Sequence, residues 1–176
     1  MYYAQLIKRK GADLLLKAYQ NLKAEYKDIE LFLIGSGIYK KELLKIINKE
    51  NLSDVLLLED PGDDLVCKYY ANSDIFVLPS REDVWGLVVN EAMSCSLPVI
   101  VSDAAGASGD LVKDGYNGFI FKAGDVEDLT SKLQKLIISS KLRGDMGNNS
   151  KKLIANFDPK VTVSMFNQAI KYALKK

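Results

Sequence analysis

Short apolar runs rich in β-branched residues recur along the chain at positions 2–7, 30–34, 55–58, 75–78, 99–101 and 118–121. Most show no polar–apolar alternation, which is the pattern of strands covered on both faces. Between them, apolar residues return at helical spacing. Leu14, Leu15, Ala18, Tyr19 and Leu22 fall on one helix face, and Leu43, Leu44, Ile46 and Ile47 on another. Beyond Phe121 the pattern turns helical: Asp125 is placed to cap a run holding Leu129, Leu133, Leu136 and Ile137, and further helices are expected to Lys176. The strand–helix alternation predicts an α/β fold, a Rossmann-like doubly wound parallel sheet of about six strands with helices on both faces and a helical C-terminal tail. No repeat and no low-complexity linker divides the chain, so residues 1–176 are expected to form one domain.

In such sheets ligands bind beyond the carboxyl ends of the strands. Attention therefore falls on the loops at 5–11, 35–37, 59–62, 79–86 and 102–109, all rich in glycine, charge or small polar residues. Composition narrows the chemistry. Lys plus Arg is 24 against 23 for Asp plus Glu, a net charge of +1, which argues against a dedicated nucleic-acid binder. The absence of histidine removes His-based catalysis and His-ligated metals. Cys67 and Cys95 form no CxxC pair and read as reduced, buried residues. No apolar run approaches the roughly 20 residues of a membrane span. The opening MYYAQLIKRKG is not laid out as a signal peptide, because its charges follow the apolar stretch.

The most informative segment is PSREDVWGLVVNEAMSCSLPVIVSD, residues 79–103. A strand ends at Pro79, a charged loop follows, and a helix is expected to start near Gly86. Free amides of Trp85, Gly86 and Leu87, aided by the helix dipole, would make a site for a phosphate or a sugar hydroxyl. Asp83 and Glu91 stand eight residues apart and could flank one ligand, accepting hydrogen bonds from its hydroxyls. Spacing alone leaves open that Asp83 caps the helix and that Glu91 is an ordinary helical glutamate. GSG at 35–37 is compatible with a plain tight turn, and of the basic run 8–10 only Lys10 is well placed for a phosphate. Trp85 is read as a pocket wall. Tyr69 and Tyr70 are assigned only to packing of the third helix.

The same segment closely resembles the signature of family 4 glycosyltransferases of the GT-B architecture. Their acid-x7-acid motif is matched by Asp83 through Glu91, and SCSLPVIVSD matches the turn and strand that follow it. LIKRKGADLLLKAY, LFLIGSGIYKKELLKII, YYANSDIFVLPSRED and LVKDGYNGFIF extend the resemblance in order over nearly the whole chain. It implies one half of a GT-B fold, the C-terminal donor-binding domain, with the acceptor-binding domain absent and residues 157–176 forming the helix that crosses back to it. By resemblance Glu91 would hold the ribose hydroxyls and Asp83 the hydroxyls of the transferred sugar. The amides of Trp85, Gly86 and Leu87 would meet sugar and diphosphate, and Lys10 would neutralise the leaving diphosphate. Gln5, Gly35, Ser36, Glu59 and Pro61 would lie along the nucleotide.

The implied reaction is retaining transfer of a hexose from a UDP- or GDP-sugar to a hydroxyl of a polysaccharide or lipid-linked glycan. It would need no cofactor and no metal, since fixed positive groups take over the role of magnesium. It implies polysaccharide synthesis in the cytoplasm, at the inner membrane face through the missing half, and no nucleic-acid partner. Four positions depart from the family pattern: Asp83 for Glu, Gln5 for Arg, Ser96 for Gly and Asp110 for Glu. Arg9 or Lys8 is expected to compensate for Gln5.

Two rivals that share the alternation fail on the first loop. A dinucleotide-dependent oxidoreductase needs GxGxxG where this chain has QLIKRKG, and a receiver-like module needs paired acids there. The remaining alternative is a non-catalytic domain that binds a nucleotide-sugar or a partner chain.

Overall fold

A computed structural model describes residues 1–157 and 159–174 of the chain. Six strands alternate with helices: β1 Tyr2–Tyr3, α1 Ala12–Lys23, β2 Leu31–Ile34, α2 Lys40–Lys49, β3 Val55–Leu58, α3 Asp63–Ala71, β4 Phe76–Leu78, α4 Leu87–Ser94, β5 Val99–Ser102, α5 Ala107–Leu111 and β6 Gly118–Phe121. Helices α6 Val126–Ile137, α7 Ser140–Ile154 and α8 Pro159–Ala173 follow. All strand pairs are parallel and fall into two three-stranded sheets, β1-β2-β3 and β4-β5-β6. The sheets meet edge to edge where the Val77 amide donates to the Met1 carbonyl at 3.0 Å. The spatial order is therefore 3-2-1-4-5-6, the doubly wound order expected from the alternation. The seam is thin because β1 has two residues and β4 three.

Alternate side chains of the strands enter two separate cores. Val77, Ile100, Phe119 and Phe121 pack with Leu15, Leu16, Leu129 and Leu133 of α1 and α6 on one face. Phe76, Leu78, Val99 and Val101 pack with Val66, Tyr70, Val89 and Met93 of α3 and α4 on the other. This double burial is the reason the strands read as continuous apolar runs. Asp125 caps α6 as expected, accepting from the Asp128 amide at 3.0 Å.

Three expectations are corrected. The first strand stops at Tyr3 rather than at residue 7, because the chain turns at Gln5, whose carbonyl accepts from the Ile7 amide, and enters a 3-10 turn at Lys8–Lys10. Leu44 does not share the buried face of α2: Leu43 is fully buried with Ile46 and Ile47 packed behind it, while Leu44, a hundred degrees round the helix, is 39% exposed. Cys67 is exposed and Cys95 half-buried. Val66 and Tyr70, four residues apart, take the inward stripe of α3 and leave Cys67 outside it.

Of the expected terminal segment 157–176, residues 158, 175 and 176 lie outside the described residues. Helix α8 exposes Val163, Phe166 and Ile170, and Leu174 just past its end is exposed too. Among the described residues, no helix is long and apolar enough to cross a membrane.

Candidate functional site

The strand order places β1 beside β4, yet β1 leads into α1 on one face and β4 into α4 on the other. The loops leaving these two strands diverge and open a crevice, the switch point at which such sheets take ligands. A cavity of about 380 Å3 occupies it. Ala4, Gln5 and Lys10 line it from the β1 side, and the continuous stretch from Asp83 to Val88 from the β4 side. A larger hollow of about 910 Å3 lies at the opposite ends of the strands, around Ile29, Leu31, Asp54 and Ile75, away from every loop that follows a strand.

The two loops are strapped together. Gly11 closes the 3-10 turn at φ 74°, and a Cβ there would sit 1.9 Å from the Pro79 carbonyl oxygen, so only glycine lets the first loop rest on the end of β4. The Arg81 amide donates to the Arg9 carbonyl at 2.8 Å, and its guanidinium reaches the Lys8 carbonyl at 2.7 Å and both Asp13 carboxylate oxygens at 2.8 and 2.7 Å. From the other side the turn at 104–107 clasps the site loop. Asp83 N donates to Ala104 O, Gly106 N to Asp83 O and Ala107 N to Trp85 O. Neither strap was readable in the motif, since Asp13 and Arg81 are 68 residues apart.

Between the straps Lys10 Nζ meets Asp83 Oδ2 at 2.5 Å, with the two side chains only 14% and 9% exposed. The Ser80 hydroxyl reaches the same carboxylate oxygen at 3.4 Å. Asp83 does not cap α4. The N-cap is Gly86 at φ 95°, and no side chain takes up the first turn. Among the described residues, none accepts a hydrogen bond from the Gly86 or Leu87 amide, so the start of α4 presents donors to the cavity. Trp85 forms part of the cavity wall, with its indole N–H held by Asn90 Oδ1 at 3.1 Å. Of the basic residues 8–10 only Lys10 lines the cavity; Lys8 and Arg9 are exposed outside it.

The other expected site residues form two neighbouring groups. Gly35 lies flush against Ala4, whose carbonyl oxygen would be 2.0 Å from a Cβ. Beside it the Ser36 hydroxyl donates to Glu59 Oε2 at 2.7 Å and Lys40 ion-pairs with Glu59 Oε1. The Lys40 hydrogen bond, then that of Ser36, holds the Glu59 carboxyl below its ordinary range. Pro61 is half-buried in the adjoining turn, where Asp60 accepts from the Gly62 amide and from the Tyr3 hydroxyl, both at 3.1 Å.

Glu91 stands apart from Asp83, exposed and outside the cavity wall. It accepts from the hydroxyl of buried Tyr70 at 2.9 Å. Burial, then the charge of Glu91, pushes the Tyr70 phenol well above its ordinary range. Tyr70 does pack α3, as its sequence position suggests, but it also touches a candidate site residue. The two residues are 21 apart in sequence, and nothing between them signals that contact.

Of the departures from the family pattern, Ser96 adopts φ 62°, the left-handed conformation that suits the glycine usual there. Asp110 is exposed on α5.

Comparison with known proteins gives the family and the fold. The sequence model of the family described as "Glycosyl transferases group 1" matches residues 1–153. An uncharacterized glycosyltransferase of Methanocaldococcus jannaschii is 32% identical over 157 residues, covering 89% of this chain and 43% of its own. The sulfoquinovosyl transferase of Arabidopsis thaliana is 31% identical over 175 residues, covering 96% of this chain and 34% of its own. The chain thus spans about two fifths or less of the length of these curated relatives. Among solved structures, Anabaena HepE in complex with UDP superposes with a TM-score of 0.82 at 26% identity, covering 99% of this chain and 47% of that one. The C-terminal domain of a glycosyl transferase group 1 family protein from Francisella tularensis gives 0.80 at 25% identity, covering 88% and 83%.

Proposed function

This chain belongs to the glycosyl transferases group 1 family, and from that premise we propose that it is the donor-binding domain of a retaining hexosyltransferase, taking a UDP- or GDP-sugar. The observation that carries the reading is the cavity at the seam of the two sheets, where Lys10, Asp83 and the start of α4 converge. Two amide donors and one ammonium group face a single hollow, an arrangement suited to a diphosphate. HepE, solved with UDP-glucose, supports the donor class.

In this reading the diphosphate lies across the Gly86 and Leu87 amides and draws the Lys10 ammonium from Asp83. As the glycosidic bond to the diphosphate breaks, negative charge grows on the leaving phosphate oxygen. The fixed amides, with Lys10 once it has left Asp83, stabilise that charge. Asp83, released from Lys10, accepts from hydroxyls of the sugar. Trp85 forms a wall of the donor pocket. Glu91 takes the ribose hydroxyls, and Gly35, Ser36, Glu59 and Pro61 flank the nucleoside. No metal takes part.

The acceptor is a polysaccharide or lipid-linked glycan bound by a second half of the enzyme at the cytoplasmic membrane face. The exposed apolar face of α8 packs against that half.

The single tryptophan reports on the site. Titration with UDP, GDP, ADP and their sugars should change Trp85 fluorescence saturably for one nucleotide series, and Glu91→Ala should weaken that response. If no nucleotide produces a signal, and calorimetry finds no heat, the donor-site reading is wrong.

A further inference from the structure

Glu91 has an incongruous setting. It is a charged side chain on the exposed flank of α4, yet its hydrogen-bond partner comes from inside the protein. Tyr70 is 1% exposed, and its ring is packed between Phe76, at 5.7 Å between centroids, and the edge of Tyr3, at 6.2 Å. Packing would be satisfied by phenylalanine. The hydroxyl is a polar group in the core that needs a partner, and it points at Glu91 Oε2 at 2.9 Å, with the Val88 carbonyl a poorer second acceptor at 3.4 Å.

An exposed glutamate samples several rotamers and loses that freedom when it binds a ligand. A donor fixed in the core removes part of the loss beforehand. It engages one carboxylate oxygen and leaves the other, with the remaining lone pairs, for hydroxyl groups outside. Burial, then the neighbouring carboxylate, pushes the phenol above its ordinary range, which favours the donor form. The same aromatic group reaches the nucleoside side: the Tyr3 hydroxyl holds Asp60 at 3.1 Å.

We propose that Tyr70 is a positioning residue for the donor nucleotide, presenting the Glu91 carboxylate from beneath to the two ribose hydroxyls. The proposal rests on the reading of Glu91 given above, and its test separates the two. Calorimetry on the full chain compares UDP with 2′,3′-dideoxy-UDP, and GDP with its dideoxy counterpart, for wild type, Tyr70→Phe and Glu91→Gln.

Wild type should prefer the ribonucleotide by about tenfold or more, as expected for hydrogen bonds to a charged group. Glu91→Gln should abolish most of that preference. Tyr70→Phe should cut it roughly fivefold while leaving dideoxynucleotide affinity within about twofold, since only the ribose contact is disturbed. Equal weakening of both nucleotides by Tyr70→Phe would mean a packing role and overturn the proposal, as would an unchanged preference. A wild type without ribose preference, or without nucleotide binding, sinks the reading of Glu91 and the proposal with it. Should Tyr70→Phe fail to fold, 3-fluorotyrosine placed at position 70 decides between the two roles. Its fluorine resonance should shift with UDP and not with dideoxy-UDP, and equal shifts overturn the proposal.

Discussion

The two corners of the proposed donor site, one around Lys10 and one around Glu91, are built in opposite ways. The first is held by close backbone contacts and side-chain ion pairs: a glycine resting on the Pro79 carbonyl, a loop clasped by the 104–107 turn, and an Arg81–Asp13 strap, with Lys10 and Asp83 already paired and largely enclosed. The second is one carboxylate on the outside of a helix, steadied by a neutral hydroxyl from the core. In the first corner charge is neutralised within the protein and a ligand must exchange partners with it, in a setting that salt screens little. In the second, the carboxylate keeps most of its hydration and its acceptor capacity. A diphosphate, which carries charge, suits the enclosed corner, and ribose hydroxyls, which carry none, suit the open one.

The contrast can be broken at its foundation. Gly11→Ala forces a left-handed alanine against the Pro79 carbonyl. We expect a loss of about 2–5 kcal/mol of stability, read as a fall in Tm of roughly 10 °C. A variant as stable as the parent would show that the loops do not depend on this close approach.

Lys10→Ala leaves that backbone in place and removes only the charge. It should weaken UDP binding by ~2–3 kcal/mol, on the order of 30- to 150-fold, and leave uridine binding unchanged. Equal losses for UDP and uridine in calorimetry would place Lys10 in general architecture rather than at the diphosphate.

The smallest effect lies outside both corners, at the far end of α4. Ser96, two residues past the end of α4, sits at φ 62°. Ser96→Gly should relieve about 1 kcal/mol, raising Tm by roughly 2–4 °C, with nucleotide affinity unaltered. A lower Tm would show that the serine side chain compensates for its backbone strain.

Much of this was legible in the chain. The runs at 76–78 and 99–102 lack polar alternation because both of their faces are buried, and the structure buries every residue of β4 and β5. The cap at Asp125 and the start of α4 after Gly86 were readable for the same reason: a cap acts within one turn, so its partners are close in sequence. Where the first apolar run ends was not readable. The turn at Gln5 is held by the end of β2 and the loop behind it, where Ala4 N donates to Ile34 O and Leu6 N to Ser36 O, and the residue types at 4–7 do not announce it. Leu44 and Cys67 are exposed because the burial of a helix flank depends on how far its neighbours reach round it.

The site divides along the same line. Local sequence determined the strand, the loop, the helix start and the types of group placed there, since hydrogen bonding along a helix and burial along a strand are short-range. Tertiary structure alone decided that Lys10 meets Asp83 across 73 residues, that Arg81 straps Asp13, and that a tyrosine of α3 holds Glu91. Each of those contacts exists because β1 lies beside β4 and two cores form on opposite faces of the sheets. Which strand neighbours which is an outcome of packing the whole chain at once, and no window of sequence contains it.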